Sequence, residues 1–353
     1  MGRGPPIRRP DPHRGGRSIL QYVVRRLGLL VLILFGASLL VFFLAVAIPA
    51  DPAREALGEY ASNEEIELYR HERGLDLPIT TQYFIYVQHL LRGDLGTSVM
   101  SGESVASELV RFLPATAELS IAALLIAVPV GLVLGVNSAV HQGSAADHLS
   151  RVGSLFGTSM PVFWLGLMLQ LVFYRDLAVL PAGQRLDVQF STPPLVTGFL
   201  TIDSLLAGNA HLFIDVVRHL VLPATVLAFG GVATIARITR SSFLEILRTE
   251  YIRTARSKGL LGWTVLSKHA LPNALVPVVT VIGIHMGQLF SGAVLTETIF
   301  AWPGVGRWAV QAITRADVPV VMGVALFACA VYAVLNLVVD LSYLAIDPRV
   351  RTT

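Results

Sequence analysis

The sequence predicts an all-α integral membrane protein of six transmembrane helices, with both termini on the cytoplasmic side. Three observations predict it. Of 353 residues, 54% are hydrophobic and 14% charged, against about 25% charged in an ordinary soluble domain. Uncharged apolar runs recur at the ~20 residues needed to cross a hydrocarbon core about 30 Å thick. The segments between those runs differ in sign, which sets an orientation.

Residues 1–26 form a basic cytoplasmic head with seven Arg against Asp11; its Pro- and Gly-rich start reads as disordered. The first span is 27–48. At this length it exceeds the roughly 7–15 residues of a signal-peptide core, so the small-x-small run Ala45-Val46-Ala47 reads as part of an uncleaved anchor. An extracytoplasmic region follows at 49–118, and within 50–115 five Arg face eleven acids. The core, 119–339, holds five further spans at 119–136, 155–174, 219–236, 274–295 and 318–339. The stretch 194–208 is apolar but short and carries Asp203, so it reads as an interfacial or re-entrant piece. The loop 237–273 carries five Arg and two Lys against Glu245 and Glu250, and a tail, 340–353, ends the chain. This layout puts 17 basic residues on the cytoplasmic side and 10 on the other.

Several function classes drop out. The net charge of +3 is too small to suggest a nucleic-acid partner. One cysteine, Cys329, excludes an intrachain disulfide and any multi-cysteine metal site. Neither Lys258 nor Lys268 sits in the Gly-Lys-Ser/Thr context of a phosphate-binding loop, and no metalloprotease or serine-hydrolase motif occurs. The expectation is therefore no catalytic residues, no metal site and no cofactor in this chain. Inside the spans polar groups are few. His285, Gln288 and Ser291 recur at spacings of three, roughly on one helical face; they read either as a lining of a translocation path or as interhelical hydrogen bonding. The central thirds of the spans lack Asp, Glu, Lys and Arg, which argues against ion-coupled transport.

The loop 237–273 carries the most information. Phe243, Ile246 and Leu247 fall at i, i+3, i+4, and Tyr251, Ala255 and Lys258 continue a helix that Gly259 breaks. A second short helix at about 263–270 then runs to Leu271-Pro272. Helix, glycine turn and helix make a rigid exposed lever; a solvated basic loop obeying the positive-inside rule fits the same periodicity.

This loop resembles the coupling motif of importer-type ABC permeases, with Ala255, Gly259 and Leu271-Pro272 at the required spacing. Arg253, Thr254 and His269 depart from the general motif. The run Tyr251-Ile252-Arg253-Thr254-Ala255-Arg256-Ser257-Lys258-Gly259 is similar to the form in dipeptide/oligopeptide importers. Further resemblances lie at Ile48-Pro49-Ala50-Asp51-Pro52, at residues 92–98 and 113–119, at residues 159–166, at Glu297-Thr298-Ile299-Phe300, at residues 302–307 and at Asp347-Pro348-Arg349. In order and spacing they cover nearly all of residues 20–350.

The resemblance implies a type I permease fold in the cytoplasmic (inner) membrane of a prokaryote. It implies a second homologous permease, two ATP-binding-cassette ATPases that bind ATP and Mg, and an extracytoplasmic substrate-binding protein that delivers a peptide substrate. Glu250, Tyr251, Arg253, Thr254, Ala255, Arg256, Lys258, Gly259, His269, Leu271 and Pro272 would then form the ATPase-coupling surface. Glu297, Trp302, Pro303, Gly304, Gly306 and Arg307 would form an external gate or binding-protein contact, with a plain connecting turn as the alternative. Related permeases also serve nickel, glutathione or oligosaccharides. A stand-alone channel or secondary transporter is the competing class.

Overall fold

The computed structural model describes residues 14–47, 52–58, 60–72, 74–290 and 293–346. Ser291, the first thirteen residues of the basic head, residues 48–51 and the closing 347–353, including Asp347-Pro348-Arg349, lie outside the described residues. Among the described residues the structure is helical, with one isolated bridge between Thr97 and Ser104.

Helix α1 spans Arg14–Ala47 and is followed by three short helices, α2 (Pro52–Leu57), α3 (Asn63–Glu72) and α4 (Ile79–Leu91). The long α5 covers Val105–Val140. Helices α6 (Ala145–Ser159) and α7 (Val162–Leu169, extended by a π-turn at Gln170–Asp176) come next. After them lie α8 (Leu200–Leu206) and the long α9 (Ala210–Leu247). The remainder comprises α10 (Glu250–Ser257), α11 (Gly262–Thr264), a π-turn (Val265–Ala270), α12 (Leu271–Phe290), α13 (Val294–Ile299), α14 (Val305–Thr314) and α15 (Val318–Ile346). Among the described residues, five stretches are long and apolar enough to cross a membrane: Val23–Ala47, Val105–Val140, Ala210–Leu247, Gly262–Phe290 and Val318–Leu341.

The third expected span departs from expectation. Instead of one rod over 155–174, α6 and α7 meet at 104°. Pro161 lacks an amide hydrogen and drives Met160 out of the helical region, to φ −79°, ψ 125°. The leg is therefore broken rather than straight. The second correction concerns the end of the basic loop. No separate short helix occupies 263–270; Gly262–Phe290 is one continuous rod. Its π-turn lies just where Pro272 would otherwise crowd the carbonyl four residues back. The rod is described as far as Phe290; Ala293 lies outside any helix and α13 starts at Val294, so the rod does not reach the expected 295. The expected interfacial piece 194–208 contains only the seven-residue α8.

Small residues decide how the long helices pack. Ala123, Ala127, Gly131 and Gly135 recur every four residues along α5, facing α9. A Cβ on Gly131 would fall 2.8 Å from Ile235, and one on Gly135 would fall 2.5 Å from Thr239. The same offset of 104 residues at both points makes α5 and α9 a parallel pair. In a membrane, close backbone approach replaces the hydrophobic drive that holds soluble helices together. Gly157 of α6 packs on Ala233 in the same manner, and Gly283 of α12 on Val339 of α15.

The bundle has two chemically different ends. At one, Arg26 pairs with Asp340 at 2.8 Å, and the basic loop leaves α9. At the other, Asp317 is buried and accepts from Ser98 Oγ at 2.6 Å. There too Glu118, buried beside Arg185, accepts from the Thr201 hydroxyl at 2.7 Å. Arg185 also lies over the Trp302 ring and donates to the Gly198 carbonyl, so the 181–201 segment is pinned across this acidic end.

Candidate functional site

At the basic end α9 stops at Leu247, and Thr249, in extended conformation, turns the chain into α10. On α10, Ile252 and Ala255 stand three residues apart, so they share a face. Both are buried in a cluster with Phe243, Val265, Ala270, Ala274 and Ala139, against which Leu271 packs. That cluster joins four elements: the end of α5 at Ala139, the root of α9, α10, and the rod that begins at Gly262. Burying one Ile side chain contributes roughly 1.5–3 kcal/mol, enough to hold a helix of eight residues that has little stability of its own.

The opposite face of α10 is solvated. Glu250, Tyr251, Arg253, Thr254, Arg256 and Lys258 are all exposed. Arg253 donates to Glu250 at 2.7 Å, whereas Arg256 and Lys258 have no ion-pair partner among the described residues. Gly259 ends the helix at φ +76° with nothing near its missing side chain; glycine is needed there for the turn rather than for space. Just beyond it Leu261 and Trp263 are 77% and 78% exposed. Asn273 closes the elbow by donating to Tyr251 Oη at 3.2 Å and to the His269 carbonyl at 3.0 Å. Pro272 is exposed beside them.

The structure thus brings the eleven expected coupling residues onto one elbow, with Ala255 beneath it. Sequence reasoning missed Leu261 and Trp263 as surface residues. Their signal was two apolar side chains just past a glycine turn in an otherwise basic segment.

At the acidic end the segment from Glu297 to Arg307 is a folded brace. Glu297 is fully buried. Its carboxylate accepts from Thr116 Oγ1 at 2.7 Å and from the Arg307 amide at 2.9 Å, while the Val305 amide donates to Thr116 Oγ1 at 2.8 Å. The start of α14 therefore points its unpaired amides at an acid, the arrangement a helix N-terminus favours. Burial pushes the Glu297 carboxyl above its ordinary value, and the bonds from Thr116, Arg307 and Gly306 oppose that shift. Gly304 is required by space: a Cβ there would lie 2.5 Å from Thr116 Oγ1 and from the Glu297 carboxylate. Trp302 is buried too and donates its indole to the Ala115 carbonyl at 2.9 Å. Arg307 donates its guanidinium to the Ala301 carbonyl. Of the six expected gate residues, Glu297, Trp302, Gly304 and Gly306 are buried and Pro303 is exposed. In this conformation burial removes the side chains of Glu297 and Trp302 from any surface a partner touches.

Of the expected path residues, His285 and Gln288 are joined by a side-chain hydrogen bond. His285 is half-buried, its Nε2 without a hydrogen-bond partner and set against Gly231 of α9, where a Cβ would fall 2.3 Å away. Gln288 is exposed.

Five helices of spanning length among the described residues describe a multi-pass membrane protein. Residues 127–352 match the family described as "Binding-protein-dependent transport system inner membrane component". Residues 19–120 match the N-terminal family of such membrane components. The chain is 48% identical over 321 residues to the "Probable D,D-dipeptide transport system permease protein DdpB" of Escherichia coli K12, covering 91% of this chain and 94% of that protein. It is 46% identical to the "Di/tripeptide transport system permease protein DppB" of Pseudomonas aeruginosa, covering 94% and 99%. Similarity to the "Glutathione transport system permease protein GsiC" of Salmonella paratyphi A is lower, 36%, over 94% and 99%.

The chain belongs to the family of binding-protein-dependent transport system inner membrane components. It is a multi-pass inner-membrane permease subunit of an ABC transporter, not itself an enzyme, and it works with a substrate-binding protein and partner subunits.

Proposed function

We propose that this chain is one of two homologous permeases of an importer for di- or oligopeptides, driven by two separate ATPase subunits that bind ATP and Mg. Peptide cargo rests on the relatives named for dipeptides and tripeptides, which are more similar than the one named for glutathione. The observation that carries the coupling role is the elbow. A short helix is anchored by Ile252 and Ala255 while offering Arg256, Lys258, Leu261 and Trp263 outward. Such a surface suits a cleft with apolar walls and an acidic rim, since guanidinium and ammonium groups pair with carboxylates.

In this reading the basic end and both termini face the cytoplasm, as the Arg distribution favours. Closure of the ATPases pushes on α10, and the tilt of the long helices exposes the path alternately to the two sides. The brace around Glu297 belongs to the outer end and holds the closed form there. Cargo would be held weakly at several points along the path, because conduction needs release as much as binding. Selectivity then rests mainly with the binding protein.

The test is Gly259→Glu in the assembled transporter. A side chain at φ +76° costs about 1–2 kcal/mol, and the added acid reverses the local charge. The expected result is normal membrane insertion with ATP hydrolysis retained and peptide uptake reduced at least tenfold. Unchanged uptake would refute the coupling role.

A further inference from the structure

The broken leg α6–α7 is held at both ends by specific contacts. At the basic end Asp147, in the first turn of α6, is 1% exposed. Its carboxylate accepts from Arg240 Nε at 2.7 Å, Arg240 Nη2 at 3.0 Å, Ser138 Oγ at 2.5 Å and the Gly143 amide at 3.0 Å. Ser144 caps the helix by accepting from the Asp147 amide. One carboxylate therefore ties the last turn of α5, the connecting turn and the start of α6 to α9. Arg240 lies three residues before Phe243, whose ring is buried with Ile252 and Ala255 of the elbow. Beyond the 104° bend, Gly166 of α7 lies against Phe300 and Ile299. Gln170 donates to the Ile299 carbonyl at 3.3 Å and to the Ala182 carbonyl at 2.7 Å. Ile299 is two residues from Glu297.

A buried ion pair is weak evidence for stability, because a hydrophobic pair of similar volume often serves as well. What a bidentate guanidinium–carboxylate pair adds is direction: two parallel bonds fix orientation and resist sliding. The packing of α6 on α9 at Gly157 and Ala233 is close and apolar, and the ion pair adds a directional polar grip to it. We propose that α6–α7 is a bent crank, gripped by Arg240 through Asp147, that carries displacement of the elbow to the Glu297 brace at the opposite end. Asp147 and Arg240 are then positioning residues for coupling. This rests on the reading of α10 as the element the ATPases push.

The experiment uses the complete transporter with its ATPases and binding protein in nanodiscs for hydrolysis and in vesicles for uptake of a dipeptide. Asp147→Asn removes the charge; Arg240→Lys keeps the charge but loses the fork, and serves if the first variant folds poorly. Both are expected to retain ATP hydrolysis within about twofold and to lose uptake about tenfold, with the double variant no worse than either single one. Uptake and hydrolysis falling in step, or uptake unchanged, would overturn the crank and leave Asp147 a packing residue. Gly259→Glu in the same preparation separates the two claims: if it transports normally the elbow reading fails, whereas if it uncouples while Asp147→Asn does not, only the crank fails.

Discussion

At the scale of single residues, Glu297 shows how one buried group organises a segment. Its side chain takes the amides that begin α14 and the Thr116 hydroxyl of α5, and Gly304 has no side chain because one would occupy the carboxylate's place. Burial raises the Glu297 carboxyl above its ordinary 4.5. The folded state therefore keeps a proton that the unfolded chain has already released, and between those two values stability falls as pH rises. Groups such as Asp76, lowered chiefly by its hydrogen bond from His71, act in the opposite sense, so the contribution is read as a difference. The stability difference between the wild-type protein and Glu297→Gln, compared by thermal unfolding in detergent, is expected to shrink as pH climbs above the ordinary Glu value of 4.5. Parallel pH profiles for the two would show that the carboxyl is not perturbed. None of this was legible in the sequence, where Glu297 stood in what read as a loop. The partner on α5 is 181 positions away, and no local pattern announces such a contact.

At the scale of elements, periodicity identified the basic loop's helix but not its boundaries. Tyr251, Ala255 and Lys258 read as continuing the helix of Phe243, Ile246 and Leu247 to the stop at Gly259. The chain instead breaks after Leu247, Tyr251 and Lys258 are exposed, and Ile252 joins Ala255 on the buried face. The rod starting at Gly262 was obscured because Pro272 and the basic residues Lys268 and His269 look like the end of a loop rather than the inside of a helix. The bend at Pro161 is hidden from hydropathy for a similar reason: apolar residues run across it on both sides, and hydropathy does not register direction. Ile252→Ala tests the tether directly. Removing a fully buried Ile typically costs about 2–5 kcal/mol, more than so short a helix can absorb. The variant is expected to insert normally while α10 becomes protease-sensitive around Arg253 and Arg256. Wild-type resistance to trypsin at those sites would mean that the elbow is held by something else.

At the scale of the whole molecule, composition and charge sign supplied six crossings; among the described residues the structure has five helices of spanning length, and the sixth segment is a pair bent by 104°. Composition and charge sign also supplied the contrast between a basic and an acidic end. Helix pairing was not legible, since α5 and α9 meet through glycines and alanines whose spacing is recognisable only once the partner is known. The family resemblance reached further than periodicity, because a motif of fixed spacing preserves the elbow even where Arg253, Thr254 and His269 depart from it.

The central claim is that this elbow is where the ATPases engage. It is tested most directly by placing a photo-crosslinking side chain at the exposed Arg256 position of the assembled transporter, with exposed Tyr60, in the acidic segment, as control. The account predicts a covalent adduct with an ATPase subunit from position 256 and none from position 60. No adduct from 256 in a complex that still hydrolyses ATP would contradict it.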